Sequence, residues 1–193
     1  MSARAGMRLL GFVLVIAGAY PVFAQQPLDP DLFQVGIYAD EARTVTCVAG
    51  EPGATFEQSL WAWVPQELGL AYITIRFRFP TNLDLTSRPV FHDLVSDVIY
   101  TDYASETVEW NMLLRECPSG WVRIFRQECA LLDGEPSRVE ILADNSMMRD
   151  CDFVLNDIAV LNELTVNDPG CGTVGVEGAS WGRVKTLYRD EGR

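Results

Sequence analysis

The stretch AYITIRFRF, Ala71–Phe79, alternates with a period of two. Ile73, Ile75, Phe77 and Phe79 fall on one side, and Thr74, Arg76 and Arg78 on the other. Successive side chains of a strand point to opposite faces, so this pattern predicts an antiparallel strand with one dry face and one wet face. Thr107–Leu114, TVEWNMLL, repeats it, with Val108, Trp110, Met112 and Leu114 inward and Glu109 and Asn111 outward. Shorter segments of similar character are Phe33–Tyr38, Thr44–Val48, Phe56–Val64, Asp97–Tyr103, Trp121–Leu131, Arg138–Ala143 and Cys151–Val166. The last is long enough to bend near Asn156-Asp157. Turn formers separate the segments, as in Gly50-Glu51-Pro52-Gly53, Pro118-Ser119-Gly120, Asp133-Gly134-Glu135-Pro136 and Asn167-Asp168-Pro169-Gly170. Many short strands without alternating helices predict an all-β, two-sheet antiparallel sandwich over residues 32–178.

The flanks differ from this body. Arg4 and Arg8 precede an apolar run from Leu9 to Ala17, and Val22 and Ala24 occupy the −3 and −1 positions of a cut before Gln25. That order of regions predicts a signal peptide over residues 1–24, and hence a secreted, periplasmic or envelope protein. Residues 25–31, with two prolines, read as an irregular leader. In residues 179–193, Ser180 is placed to cap a short helix whose Trp181, Val184, Leu187 and Tyr188 form one stripe. Two expectations follow for that segment: docking on its own sandwich, or projection as a cationic tail through Arg183, Lys185 and Arg189.

The formal charge is −12, and removing Arg4 and Arg8 makes the rest more acidic. Such a surface repels nucleic acid and anionic lipid. No later stretch is long and apolar enough to span a bilayer.

Five cysteines follow the leader: Cys47, Cys117, Cys129, Cys151 and Cys171. In an exported chain they are read first as disulfide partners. A straight hairpin through Pro118-Ser119-Gly120 would hold Cys117 and Cys129 about 23 Å apart, at ~3.3 Å per residue, too far for a bond. Alternating strand direction instead brings Cys117 and Cys151 to the same end of the sandwich. Cys129 then reads as a buried free thiol. Cys47 with Cys171 completes the set, although the same alternation carries Cys171 toward Cys129, so the second pairing stays open.

Three short motifs resemble a group of exported bacterial proteins without an assigned activity. They are Val35-Gly36-Ile37-Tyr38-Ala39-Asp40, then Glu116-Cys117 ahead of Ser119-Gly120-Trp121-Val122, and finally Ser180-Trp181-Gly182-Arg183-Val184-Lys185 ahead of Leu187-Tyr188-Arg189. The resemblance implies an immunoglobulin-like sandwich and export, and it carries no catalytic residue.

Site chemistry in the sequence is sparse. His92 is the only histidine, beside Asp93 and near Ser96, with no Gly-x-Ser-x-Gly elbow. Carboxylate pairs such as Glu106 with Glu109 arise readily in an acidic chain, although glycoside hydrolysis would require one. With no Cys-x-x-Cys, zinc is not indicated. Asp150, Asp152, Asn156 and Asp157 offer hard oxygens for calcium, without the loop that normally arranges them. Trp61 and Trp63 point the same way from one strand, opposite Leu60, Ala62 and Val64. Aromatic burial favours these tryptophans, with Trp110 and Trp121, as core. If the aliphatic side is the core instead, Trp61 and Trp63 mark a ligand patch. The expectation is thus an exported non-catalytic protein without a cofactor, acting by structure or by binding an envelope protein. A glycan-binding or adhesion module is the first alternative, and a secreted hydrolase the second.

Overall fold

The computed structural model describes residues 27–171 apart from 86, 104 and 105, and of 101–103 the backbone alone. The expected signal peptide and C-terminal helix lie outside the described residues. Among the described residues fourteen strands form, in order β1 (Gln34–Tyr38), β2 (Cys47–Val48), β3 (Thr55–Val64), β4 (Tyr72–Arg78), β5 (Leu83–Asp84), β6 (Val90–Phe91) and β7 (Val95–Tyr103). They continue with β8 (Thr107–Leu114), β9 (Gly120–Leu131), β10 (Ser137–Ile141), β11 (Met147–Arg149), β12 (Leu155–Asn156), β13 (Ala159–Asn162) and β14 (Leu164–Val166). A 3-10 turn, Ala143–Asn145, interrupts them. Among the described residues no helix is long and apolar enough to cross a membrane.

Two sheets face each other. The smaller runs β13-β1-β3-β9-β5, with β6 also on β9; the larger runs β12-β11-β4-β10-β14-β2, with β8 on the other side of β4 and β7 beyond it. Pairing is antiparallel except for β1 with β13 and β2 with β14, which are parallel. Ile73, Ile75 and Phe77 of β4 are fully buried, as the alternation predicts, and β8 adds Trp110 and Met112. At the centre, the Trp110 ring stands edge-on to Phe125 with centroids 4.4 Å apart, and Phe77 and Phe91 close around them at 5.2 and 5.8 Å from Trp110. The aromatics therefore bridge the sheets.

The expected hairpin between 107–114 and 121–131 does not exist. β8 pairs with β4 and β7, while β9 pairs with β3, β5 and β6, so residues 115–119 cross from one sheet to the other. Cys117 still meets Cys151, with Cα atoms 5.9 Å apart, and Cys47 meets Cys171 at 5.3 Å. Cys129 is free and buried, and desolvation pushes its thiol pKa well up, so it stays protonated. The Cys117–Cys151 bridge lies against Gly69, whose φ of +64° suits glycine and whose missing side chain would fall 2.5 Å from Cys151 Sγ. Gly69→Ala is expected to destabilise by on the order of 2 kcal/mol, read by urea unfolding. An unchanged midpoint would contradict that packing.

Two other segments depart from expectation. Thr44–Val48 shortens to Cys47–Val48, because the Asp40 carboxylate takes the N–H groups of Thr44 and Val45 at 2.8 Å each. Those donors are then lost to a ladder. The single strand expected over Cys151–Val166 is three short ones, with β12 and β14 in the larger sheet and β13 in the smaller. Asp150 starts this break: its carboxylate accepts the N–H groups of Asp152 and Val154 at 3.0 and 2.9 Å, closing a turn instead of extending the chain.

Candidate functional site

The aliphatic side of β3 is the core: Leu60, Ala62 and Val64 are fully buried. Trp61 and Trp63 therefore lie on the outer face of the smaller sheet, half-buried, and so does Trp121. Placing all of these tryptophans in the core, as aromatic burial favours, is corrected; only Trp110 is there. A bulge sets the arrangement. Ile124 and Phe125 are consecutive buried residues of β9, and past them the register with β3 shifts, so that Trp61 faces Arg123 and Trp63 faces Trp121. A strand bulge re-aims side chains in this way.

The loop held by Asp40 lies over these indoles. It carries Arg43 in the left-handed region, at φ 59°, with its guanidinium 4.3 Å from the Trp121 ring centre and 5.1 Å from that of Trp61. Arg123 stands 5.9 Å from Trp61 and donates to Glu41 at 2.7 Å. Trp63 packs edge-on to Trp121 and donates its Nε1–H to the Pro30 carbonyl at 3.1 Å. The expected Trp61–Trp63 patch thus becomes a Trp61–Trp121 pair stacked with arginine, and Trp63 anchors the N-terminal segment.

The outer face of the larger sheet is built differently. Residues directly opposite each other share a face, and the registers give rows across the strands. One row is Asp97, Leu113, Tyr72 and Arg149; the next is Ile99, Asn111, Thr74 and Met147. A groove of about 580 Å³ runs over Tyr72, Thr74, Arg76, Glu109 and Asn111, with Phe153 at its rim. Its floor is paired within itself. Tyr72 and Thr74 donate to Asn111 Oδ1 at 2.7 and 2.8 Å, Asn111 donates to Glu109 at 3.0 Å, and Arg76 binds Glu109 at 2.5 Å. Large apolar side chains flank it, with Ile99 62%, Leu113 40% and Phe153 57% exposed. Phe153 is fixed at φ 61° by the Asp150 turn, by Arg149 Nη1 donating to its carbonyl at 3.1 Å, and by the adjacent Cys151 bridge.

The candidate calcium ligands do not converge on one point. Asp150 spends its carboxylate on backbone N–H groups and on Asn156 Nδ2, while Asp152 and Asp157 point to solvent. Among the described residues no group of three or more His, Cys, Asp or Glu could hold a metal. Nor do hydrolase parts converge. His92 Nδ1 accepts from Leu94 N–H at 3.3 Å, Ser96 donates to the Leu113 carbonyl at 3.0 Å, and Glu109 is committed to Arg76.

Sequence reasoning missed Arg43, Arg123, Ile99, Leu113 and Phe153 as surface groups. Leu113 and Ile99 do carry a signal: each is an apolar residue at an outward position of an alternating strand. Arg43 carries none, because its position depends on a loop closed by Asp40.

No protein-family model matches the chain, and no curated protein matches it. Solved structures do. A cohesin module of a family 33 glycoside hydrolase from Clostridium perfringens aligns with a TM-score of 0.57 at 11% identity, covering 71% of this chain and 98% of that one. A chain of a type I cohesin–dockerin complex from Clostridium thermocellum gives 0.56 at 12%, covering 74% and 96%. A non-cellulosomal cohesin from the archaeon Archaeoglobus fulgidus gives 0.53 at 10%, covering 70% and 91%. The chain has a cohesin-like β-sandwich fold.

Proposed function

We propose that this is an exported, non-catalytic module that binds another protein through the outer face of its larger sheet. One observation carries the reading: exposed Phe153 lines a groove whose polar floor is already paired, and exposed Ile99 and Leu113 stand directly opposite its floor residues Asn111 and Tyr72. Exposed large apolar groups gathered on one face mark interaction surfaces. Docking onto a floor whose donors and acceptors satisfy one another strands few polar groups, which lowers the desolvation cost of binding. The stapled turn under Phe153 and the paired strands supply a pre-organised surface, so little order is lost on contact. Five strands from β7 to β12, at about 4.8 Å spacing, make this face about 20 Å wide. The cohesin-like fold agrees with the reading, since one similar structure is a cohesin bound to a dockerin.

The test introduces charge at the face. Ile99→Asp with Leu113→Asp is expected to weaken retention of the partner from the producing cells' exported fraction by about 10-fold or more, with the melting temperature unchanged. Equal retention by the variant and the unaltered protein would overturn the assignment.

A further inference from the structure

The described residues end on the outer face of the larger sheet. Leu164 and Val166 of β14 are buried, so Thr165 between them points outward, and Cys47, directly opposite Thr165, points outward with it. The Thr165 hydroxyl agrees, donating to Cys47 Sγ at 2.8 Å and lying 3.9 Å from Cys171 Sγ. The Cys47–Cys171 bridge therefore holds residue 171 on the same face as the groove over Tyr72, Thr74 and Asn111.

The registers give the span between them. Cys47, Thr165 and Arg138 share one row, Glu140 and Arg78 share the next outward row, and Thr74 lies further along β4. From Cys171 the groove is thus about six residues along the strands and three strands across, or roughly 25 Å at ~3.3 Å per residue and ~4.8 Å per strand. Residues 172–180 reach up to about 30 Å when extended, so the stretch after Ser180 can lie over the groove.

That stretch matches what the face offers. Trp181, Val184, Leu187 and Tyr188 fall on one helical stripe, about 10 Å long at ~1.5 Å per residue, and Arg183 and Lys185 flank it on its two sides. On the face, Phe153 lines the groove, and Ile99 and Leu113 stand opposite Asn111 and Tyr72. Exposed acids stand on both sides of it, Asp97 on β7 and Asp144 and Asp152 toward β11 and β12, with no ion pair among the described residues. The arginines of the face are engaged: Arg76, Arg78 and Arg138 pair with Glu109, Glu140 and Glu163, and Arg149 donates to the Phe153 carbonyl. The smaller sheet is no alternative bed, since Arg43 and Arg123 already lie on its indoles.

We infer that residues 180–189 dock as a helix on the outer face of the larger sheet in the free protein and cover it until a partner displaces them. The stripe takes Ile99, Leu113 and Phe153 out of water over a floor whose polar groups are already satisfied. Arg183 and Lys185 meet the acids on either side. The tether at Cys171 keeps the segment at an effective concentration of about millimolar, so a weak contact suffices and a tighter partner replaces it. The covering role rests on the function proposed above; the contact itself does not.

A photoreactive residue substituted at Leu187 of the purified, disulfide-bonded chain tests the contact without any partner. Illumination of dilute protein is expected to link it within one chain to peptides from 107–115 or 147–155, read by mass spectrometry. The same residue at Thr186, on the far side of the helix, is expected to give little adduct. Arg183→Glu with Lys185→Glu, and separately Leu113→Asp, are each expected to lower the yield at 187 by about 5-fold. Absence of the adduct, adducts only between chains, or adducts on residues 55–64 of the smaller sheet would overturn the inference. Deleting residues 179–193 is expected to strengthen partner retention several-fold, and unchanged retention would overturn the covering role. An intramolecular adduct together with retention that ignores Ile99→Asp and Leu113→Asp would instead refute the proposed function and leave the docked helix standing.

Discussion

Replacing Cys47 and Cys171 together by alanine is expected to cost about 5 kcal/mol of stability, the largest effect foreseen for any bond in this chain. The bridge spans a sequence separation of 124, and the entropy withheld from the unfolded chain grows with the logarithm of that span. By the same argument the Cys117–Cys151 bridge, with a separation of 34, contributes less, about 3–4 kcal/mol. Local contacts add to the first case. Thr165 donates its hydroxyl to Cys47 Sγ at 2.8 Å, and the short parallel pair β2–β14 runs through these same residues. Two-residue strands hold little by themselves, so the covalent link keeps that edge in place. Urea unfolding of the double variant and the parent settles the matter. A difference below about 1 kcal/mol would mean the bridge is not holding the unfolded chain together in the way the span implies.

Trp110→Ala is expected to cost roughly 3–5 kcal/mol, because it removes the ring through which the sheets meet. Its indole is 2% exposed and packs against Phe125, Phe77 and Phe91, which belong to three strands drawn from both sheets. Those neighbours are themselves held by backbone pairing and cannot collapse into the space, so the cavity persists and adds to the lost transfer energy. Trp61→Ala makes a useful contrast. Its ring is half-buried on the outer face under Arg43, and its loss is expected to cost clearly less, since it empties no core volume. Similar losses for the two variants would contradict the assignment of faces on β3.

The contrast also explains what the sequence reveals. β4 and β8 are legible to the residue because one face is buried and the other wet, which makes period two visible. The same alternation in LWAWV is ambiguous, because both faces are apolar by residue type; the deciding fact is the arginine cover supplied by residue 43. Turn residues at 118–120 mark a reversal, but whether a reversal stays in one sheet or crosses to the other is set by long-range packing, so the chain path from β8 to β9 is not legible in them. The strands β5, β6 and β11 have only two or three residues and leave no periodic trace. The break after Asp150 depends on a side chain capturing backbone donors, which composition does not announce. Of the candidate sites, the docking face was faintly present in the outward Ile99 and Leu113. The stack of Arg43 on Trp61 and Trp121 depends on the loop at 39–46 lying over the sheet, which no local pattern announces.

The most direct test of the central claim is photo-crosslinking in the producing cell, with a photoreactive residue substituted at Leu113, at Phe153, or at Val90 on β6 of the other sheet. Each of these positions is at least 40% exposed, so each reports contact and not folding. Covalent adducts with a second protein at 113 and 153, and none at 90, are the predicted result. Adducts confined to position 90, or no protein adduct at 113 and 153, would contradict binding through the larger sheet.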